Sequence, residues 1–133
     1  MIRVIVADDH YLVRQGVRNL LETAEDIEVI GEAENGQEAL ELVEQLRPDV
    51  VVMDVSMPEM NGIKATQMIR DLNTEVQVVI LSMYGSHDLV QEALNTGAIG
   101  YLLKRSTTLD LVEAVRAAKQ GRQFLSNGLS GAN

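Results

Sequence analysis

Four short apolar runs punctuate the chain at residues 2–7, 50–53, 76–81 and 98–103, and a weaker alternating stretch covers 27–33. Each reads as a β-strand. Amphipathic segments of helix length lie between them. Residues 10–23 place Val13, Gly16, Val17, Leu20 and Leu21 on one helical face, and residues 36–46 do the same with Ala39, Leu40, Val43 and Leu46 before Pro48 blocks continuation. Residues 62–72 align Ile63, Thr66 and Ile69, and residues 88–95 follow, with Gly97 as a C-terminal stop. A last helix starts near Thr107 or Thr108, where Thr107 and Asp110 have capping-box spacing. Its core face is Leu111, Ala114, Val115 and Ala118, and it ends near Gly121. Strand and helix in regular alternation predict an α/β fold, a parallel sheet with right-handed crossovers. Residues 124–133 are rich in Ser, Gly and Asn without periodicity, which predicts a linker or a frayed terminus.

Asp8, Asp9, Asp54, Ser82 and Lys104 each fall just past one of the apolar runs. Open parallel sheets bind ligands at the carboxyl ends of their strands, near the point where strand order reverses. The pattern therefore brings three carboxylates, a hydroxyl and an amine to one place. Two unit charges roughly 4 Å apart repel by about 1 kcal/mol in water and about 4 kcal/mol at a surface-like dielectric of about 20, so such a pocket calls for a cation. An all-oxygen set suits Mg²⁺, with Mn²⁺ as a substitute. A carboxylate can also attack phosphorus to form an acyl phosphate, with a metal and an ammonium neutralising the transferred group. Asp54 is the best-placed nucleophile. It ends the most uniformly apolar run and is followed by Val55, Ser56, Met57 and Pro58, a loop able to turn a carbonyl towards a metal. Ser82 and Lys104 would then meet phosphoryl oxygens. The ordinary alternatives are that a strand-end aspartate caps the next helix and that Lys104 is a solvated charge. Three aspartates converging with a lysine weigh against them.

With 133 residues, 46% of them hydrophobic, the chain is long enough for one well-buried core and too short for two ordinary domains. Cysteine is absent, so disulfide and thiol chemistry are excluded. No apolar run approaches the roughly 18 residues of a membrane span, and no signal-peptide pattern opens the chain, so a soluble cytoplasmic protein without membrane insertion is expected. Twenty acidic against eleven basic residues give a net charge of -9, which repels phosphate backbones and places any DNA contact elsewhere. A lone histidine at a helix start, His10, reads as structural or solvated. The methionines Met53, Met57, Met60, Met68 and Met83 read as gap fillers, and Glu32, Glu34, Glu38, Glu41 and Glu44 as solvated surface.

Asp8-Asp9 after the first strand, Asp54 within Met53-Asp54-Val55-Ser56-Met57-Pro58-Glu59-Met60-Asn61-Gly62, Ser82 and Lys104 together resemble the receiver domain of bacterial two-component response regulators. Ala7-Asp8-Asp9-His10, Leu81-Ser82-Met83-Tyr84 and Gly100-Tyr101-Leu102-Leu103-Lys104 are similar to the NarL/FixJ branch. The resemblance implies a flavodoxin-like (βα)5 fold, five parallel strands in order 2-1-3-4-5, over residues 1–120. Residues 121–133 would lead towards the C-terminal helix-turn-helix output domain that members of this branch usually carry, or end a stand-alone receiver.

The resemblance also implies site roles. Asp54 becomes the phosphoacceptor. Asp9, Asp54 and the Ser56 backbone carbonyl become direct Mg²⁺ ligands, Asp8 a ligand through water, and Ser82 and Lys104 contacts to the phosphoryl group. Tyr101 matches an aromatic switch that moves inward with Ser82, whereas a strand tyrosine is otherwise half-buried. Many receivers have a cis-proline after the lysine; here the residue is Arg105, for which a cis bond would cost about 3–4 kcal/mol. The implied partners are a sensor histidine kinase, DNA through the output domain, and a second copy of the chain. For the last, α-helical rotation of the final helix predicts Leu109, Glu113, Arg116 and Ala117 pointing outward as a dimer face. Transcription control by phosphorelay, without catalytic turnover, is the implied function. An aspartyl-nucleophile, Mg²⁺-dependent phosphohydrolase is the enzymatic alternative, but the usual second acid two residues after the nucleophile is here Ser56. A nucleotide-binding module lacks its glycine-rich loop, since Asp8-Asp9-His10 follows the first strand and no GK[ST] occurs.

Overall fold

The structure, a computed structural model, describes residues 1–57, 60–72, 75–127 and 129, apart from the side chain of Leu109. Pro58 and Glu59 of the motif after Asp54, the Leu109 side chain, and residues 128 and 130–133 of the tail lie outside that description. The elements follow in the order β1 (Ile2–Ala7), α1 (Tyr11–Glu22), β2 (Ile27–Ala33), α2 (Gly36–Leu46), β3 (Val50–Asp54), α3 (Gly62–Leu72), β4 (Gln77–Ser82), α4 (His87–Asn95), β5 (Gly100–Leu103), a 3₁₀ turn (Lys104–Ser106), α5 (Thr107–Lys119) and β6 (Phe124–Leu125).

All pairings are parallel and the strand order is β2-β1-β3-β4-β5-β6. The chain moves outward from β1 to β2 and then returns across β1 to β3, so the strand order reverses at the β1/β3 boundary. Register keeps the carboxyl ends level there: Ala7 pairs with Met53, Asp54 with Leu81 and Ser82 with Leu103. Successive strand residues point to opposite faces. Val4, Val6, Val50 and Val52 pack under α1 and α5, while Ile5, Val51, Met53 and Ile80 pack under α2, α3 and α4. Both faces are therefore covered, which explains why the inner strands read as continuous apolar runs.

Local chemistry accounts for most boundaries. Asn35 and Ser86 cap α2 and α4 by accepting the Glu38 and Leu89 amides. Gly97 takes a φ of 115° just after α4, a conformation that disfavours any side chain. At Gly62 a Cβ would collide with the Asp54 carbonyl, so the start of α3 can lie close against the end of β3 only with glycine there.

Five expectations are corrected. Asp54 and Ser82 are the last residues of β3 and β4 and do not fall just beyond them. On α1, Val17 and Leu21 are buried, but Val13 and Gly16 are exposed and Arg14 is buried in their place. The capping box at Thr107 and Asp110 does not form; Ser106 is the N-cap, without a side-chain bond, because the 3₁₀ turn leads directly into the helix. Ala117 is only 2% exposed, since α5 contacts α1, β4, β5 and β6 and its buried stripe is correspondingly wider. Finally, the chain after α5 adds a sixth strand at the β5 edge. The Phe124 amide donates to the Ile99 carbonyl, the Ser126 amide to the Tyr101 carbonyl, and the Leu103 amide to Ser126 Oγ at 3.0 Å. No cis peptide occurs among the described residues, the bond between Lys104 and Arg105 included.

Candidate functional site

The carboxyl end of the sheet delivers the acids from two neighbouring strands. Asp8 is buried, and its Oδ1 accepts the His10 amide at 2.9 Å. Asp9, the next residue, faces solvent. Asp54 is 2% exposed at the end of β3. Lys104, arriving from β5, sets its Nζ 3.1 Å from Asp54 Oδ1 and 3.4 Å from Asp8 Oδ2, and the Ser56 amide lies 3.4 Å from the same Asp54 oxygen. Asp54 Oδ2 is buried without a hydrogen-bond partner among the described residues. An orphaned carboxylate oxygen is costly unless something is meant to meet it.

Electrostatics point the same way. Burial first and the Asp8 carboxylate second push the Asp54 carboxyl above its ordinary value, and Lys104 and the Ser56 amide offset only part of that. Burial works against the Lys104 ammonium, but Asp54 and Asp8 outweigh it and raise its pKa, so the lysine is held charged between two acids. Asp8, Asp9, His10 and Asp54 each offer one ligand atom, all within 4.8 Å of one another. That spacing, the oxygen-rich donor set and the orphaned Asp54 Oδ2 fit a hard divalent cation.

Ser82 is buried at the end of β4, and its Oγ accepts the Tyr84 amide at 3.0 Å. Tyr101 is wholly buried where half burial is usual for a strand tyrosine, and its hydroxyl donates to the Tyr84 carbonyl at 2.6 Å. Burial pushes the Tyr101 phenol up, with a hydrogen bond to Ser82 opposing it. Both side chains thus grip the loop that follows β4. Ser56 is exposed beyond β3.

Two groups were not legible as part of this region. His10, read as structural or solvated, has its Nδ1 3.0 Å from Asp9 Oδ1 and 3.4 Å from Asp8 Oδ1; its place directly after the acid pair was the available signal. Glu32, read as solvated surface, accepts from Arg14, Gln15 and Arg18. Burial pushes its carboxyl up, and the two arginines outweigh that and hold it below the usual range.

Residues 4–116 match the family model for the response regulator receiver domain. The transcriptional regulatory protein LiaR of Bacillus subtilis is 40% identical over 131 residues, which cover 98% of this chain and 62% of LiaR. The nitrate/nitrite response regulator protein NarL of Escherichia coli K12 is 39% identical over 127 residues, 96% of this chain and 59% of NarL. The transcriptional regulatory protein DegU of Brevibacillus brevis is 40% identical over 124 residues, 93% of this chain and 52% of DegU. This chain therefore spans about half to three-fifths of the length of these curated relatives. Among solved structures, a LuxR-family two-component response regulator from Aurantimonas superposes with a TM-score of 0.91 at 36% identity, covering 94% of this chain and 89% of that one. The signal receiver domain of the putative response regulator NarL from Mycobacterium tuberculosis gives 0.87 at 39% identity, covering 91% and 98%. The strand-end acids, the sheet order and these likenesses agree: the chain belongs to the response regulator receiver domains, in their NarL branch.

Proposed function

We propose that this receiver accepts a phosphoryl group on Asp54 from a sensor histidine kinase. The observation that carries the reading is the buried, unpartnered Asp54 Oδ2 beside a lysine held between two carboxylates. In the transfer, an Asp54 carboxylate oxygen bonds to phosphorus while the bond from phosphorus to the donor breaks, and the donor leaves with its electron pair. Lys104 Nζ already pairs with Asp54 and is within reach of an oxygen of the incoming group. Asp9, Asp54 and the Ser56 carbonyl are the candidates to hold Mg²⁺ or Mn²⁺, with Asp8 acting through water. The cation, when bound, neutralises charge on the transferring group.

Switching follows from the same residues. A phosphoryl oxygen competes for the Ser82 hydroxyl, which now receives the Tyr84 amide, and the Tyr101 hydroxyl holds the neighbouring carbonyl. Exposed Tyr11, Leu12, Met83 and Tyr84 around the site support docking of a protein donor there. Control of transcription takes its support from the relatives' names, and a DNA-binding output domain and a cytoplasmic setting belong to the same reading; no helix among the described residues is long and apolar enough to cross a membrane. A homodimer strengthened by phosphorylation belongs to the same reading. The α5 face expected for it is reduced, because Ala117 is buried and Arg116 is engaged by Asp26 at 2.9 and 3.0 Å. Nothing favours the phosphohydrolase, since Ser56 occupies the position of its second acid.

Intact-mass measurement after incubation with Mg²⁺ and acetyl phosphate tests the proposal. One added phosphoryl group on the parent and none on Asp54→Asn is the expected result. An equally modified Asp54→Asn would sink the assignment, and sustained release of phosphate over many turnovers would return the enzymatic reading.

A further inference from the structure

Arg14 is a charged side chain on the inner face of an amphipathic helix, where the apolar pattern has no need of it. It lies one turn into α1, and its side chain is only 7% exposed. Its Nη1 donates to the Asp8 backbone carbonyl at 2.9 Å, and its Nε donates to Glu32 Oε1, also at 2.9 Å. Glu32, near the end of β2, is held in turn by Gln15 Nε2 at 2.8 Å and Arg18 Nη1 at 2.6 Å. The Asp8 amide meanwhile donates to the Ala33 carbonyl at 3.0 Å. Asp8 is therefore tied to β2 through both halves of its backbone, one of them by way of Arg14.

A buried guanidinium is a poor device for stability alone, because its desolvation offsets most of what its partners return. It is a good device for orientation. The planar fork serves two acceptors in fixed directions, which an ammonium on a flexible stem does not do. The Asp8 carbonyl belongs to the peptide group that joins Asp8 to Asp9. Fixing its direction fixes the direction in which both carboxylates leave the backbone.

We propose that Arg14, braced by Glu32, is a positioning residue for the acidic pair. It aims Asp8 and Asp9 at the cation from behind, bonding to the Asp8 carbonyl and to neither carboxylate. This rests on the reading of the strand-end acids as a divalent-cation site. Groups that orient metal ligands in this way characteristically change affinity about 10- to 100-fold when removed.

The test is the Mg²⁺ dissociation constant by titration calorimetry, measured without any phosphoryl donor, on the parent, Arg14→Lys, Glu32→Gln and Val43→Ala. Val43 is a core residue in the second half of α2, and its truncation reports what lost stability alone does. Expected are a rise of about tenfold or more for Arg14→Lys, a smaller rise for Glu32→Gln, and a constant within about twofold of the parent for Val43→Ala. Should Arg14→Lys fail to fold, Glu32→Gln carries the test by itself. Unchanged affinity in Arg14→Lys or, where that variant does not fold, in Glu32→Gln, or an equal loss in Val43→Ala, overturns the positioning role while the cation site stands. A parent that binds no Mg²⁺ overturns the cation site and the positioning role with it.

Discussion

Two aspartates mark the ends of β3, Asp49 just before it and Asp54 as its last residue, and they live under opposite rules. Asp49, at the amino end, has its oxygens in use: Oδ2 accepts the Arg3 amide at 2.8 Å and Oδ1 meets Lys119 Nζ at 3.0 Å. Burial pushes its carboxyl up, but the Arg3 amide and Lys119 outweigh that and hold it below the ordinary value. Asp54, at the carboxyl end, is more deeply buried, faces another carboxylate, keeps one oxygen without a partner, and is pushed up. The rest of the amino end follows Asp49, with Asp26 gripped by Arg116 through two bonds. One end of the sheet is electrostatically settled. The other holds uncompensated charge of the kind that a cation and a phosphoryl group would relieve, as the proposed phosphoacceptor site requires.

Removing the cation that the acids already have should break this contrast most severely. Lys104→Met leaves Asp8 and Asp54 facing each other, and we expect a loss of about 3 kcal/mol in urea unfolding without divalent ions, with Mg²⁺ restoring more stability to the variant than to the parent. An unchanged midpoint would show that the lysine is dispensable to the charge balance. At the settled end, Asp49→Ala strands the Arg3 amide and should cost about 1.5 kcal/mol by the same measurement. Its pKa is depressed on folding, so that contribution is present above the ordinary carboxylate value of 3.8 and lost as pH falls through the folded pKa; the gap between parent and variant should close in acid.

Asp54→Asn should act in the reverse sense and stabilise the metal-free chain by about 1 kcal/mol, a rise in Tm of roughly 4 °C. Here the folded pKa is raised, so the parent carries its full penalty above that pKa and sheds it as pH falls towards 3.8. The advantage of Asp54→Asn should therefore be greatest near neutrality and shrink in acid. A variant less stable than the parent at pH 7 would contradict the strained reading of Asp54. The smallest effect belongs to Arg116→Ala, whose ion pairs are solvent-exposed; its thermal midpoint should match the parent's, and a clear drop would mean that the amino end depends on surface charge.

The alternation of strands and helices was legible because each inner strand is covered on both faces and must be apolar throughout, while each helix shows its polar side to water. The convergence of Asp8, Asp9, Asp54 and Lys104 was legible for a related reason. Polar side chains at the carboxyl ends of parallel strands share one edge whatever the sequence between them. Arg14 and Glu32 were not legible, since a helical residue and a strand residue 18 positions apart give no sign of pairing until the crossover is closed. Nor was β6, a two-residue strand without periodicity of its own, which exists because β5 leaves an edge of unpaired amides and carbonyls for it to meet.

By itself, then, the sequence determined the period of each segment, the places where apolar runs stop, and which reactive groups stand at those stops, because these depend on local backbone geometry and on burial alone. The tertiary structure decided which oxygens find partners. Ala117 faces inward because α5 is packed between α1 and the sheet, and Tyr101 is wholly buried because the loop after β4 offers its hydroxyl a carbonyl. The same holds for Asp49, just before β3, and Asp54, its last residue, two carboxylates of one residue type. Their difference comes from Arg3, Lys119, Asp8 and Lys104, brought there from distant parts of the chain.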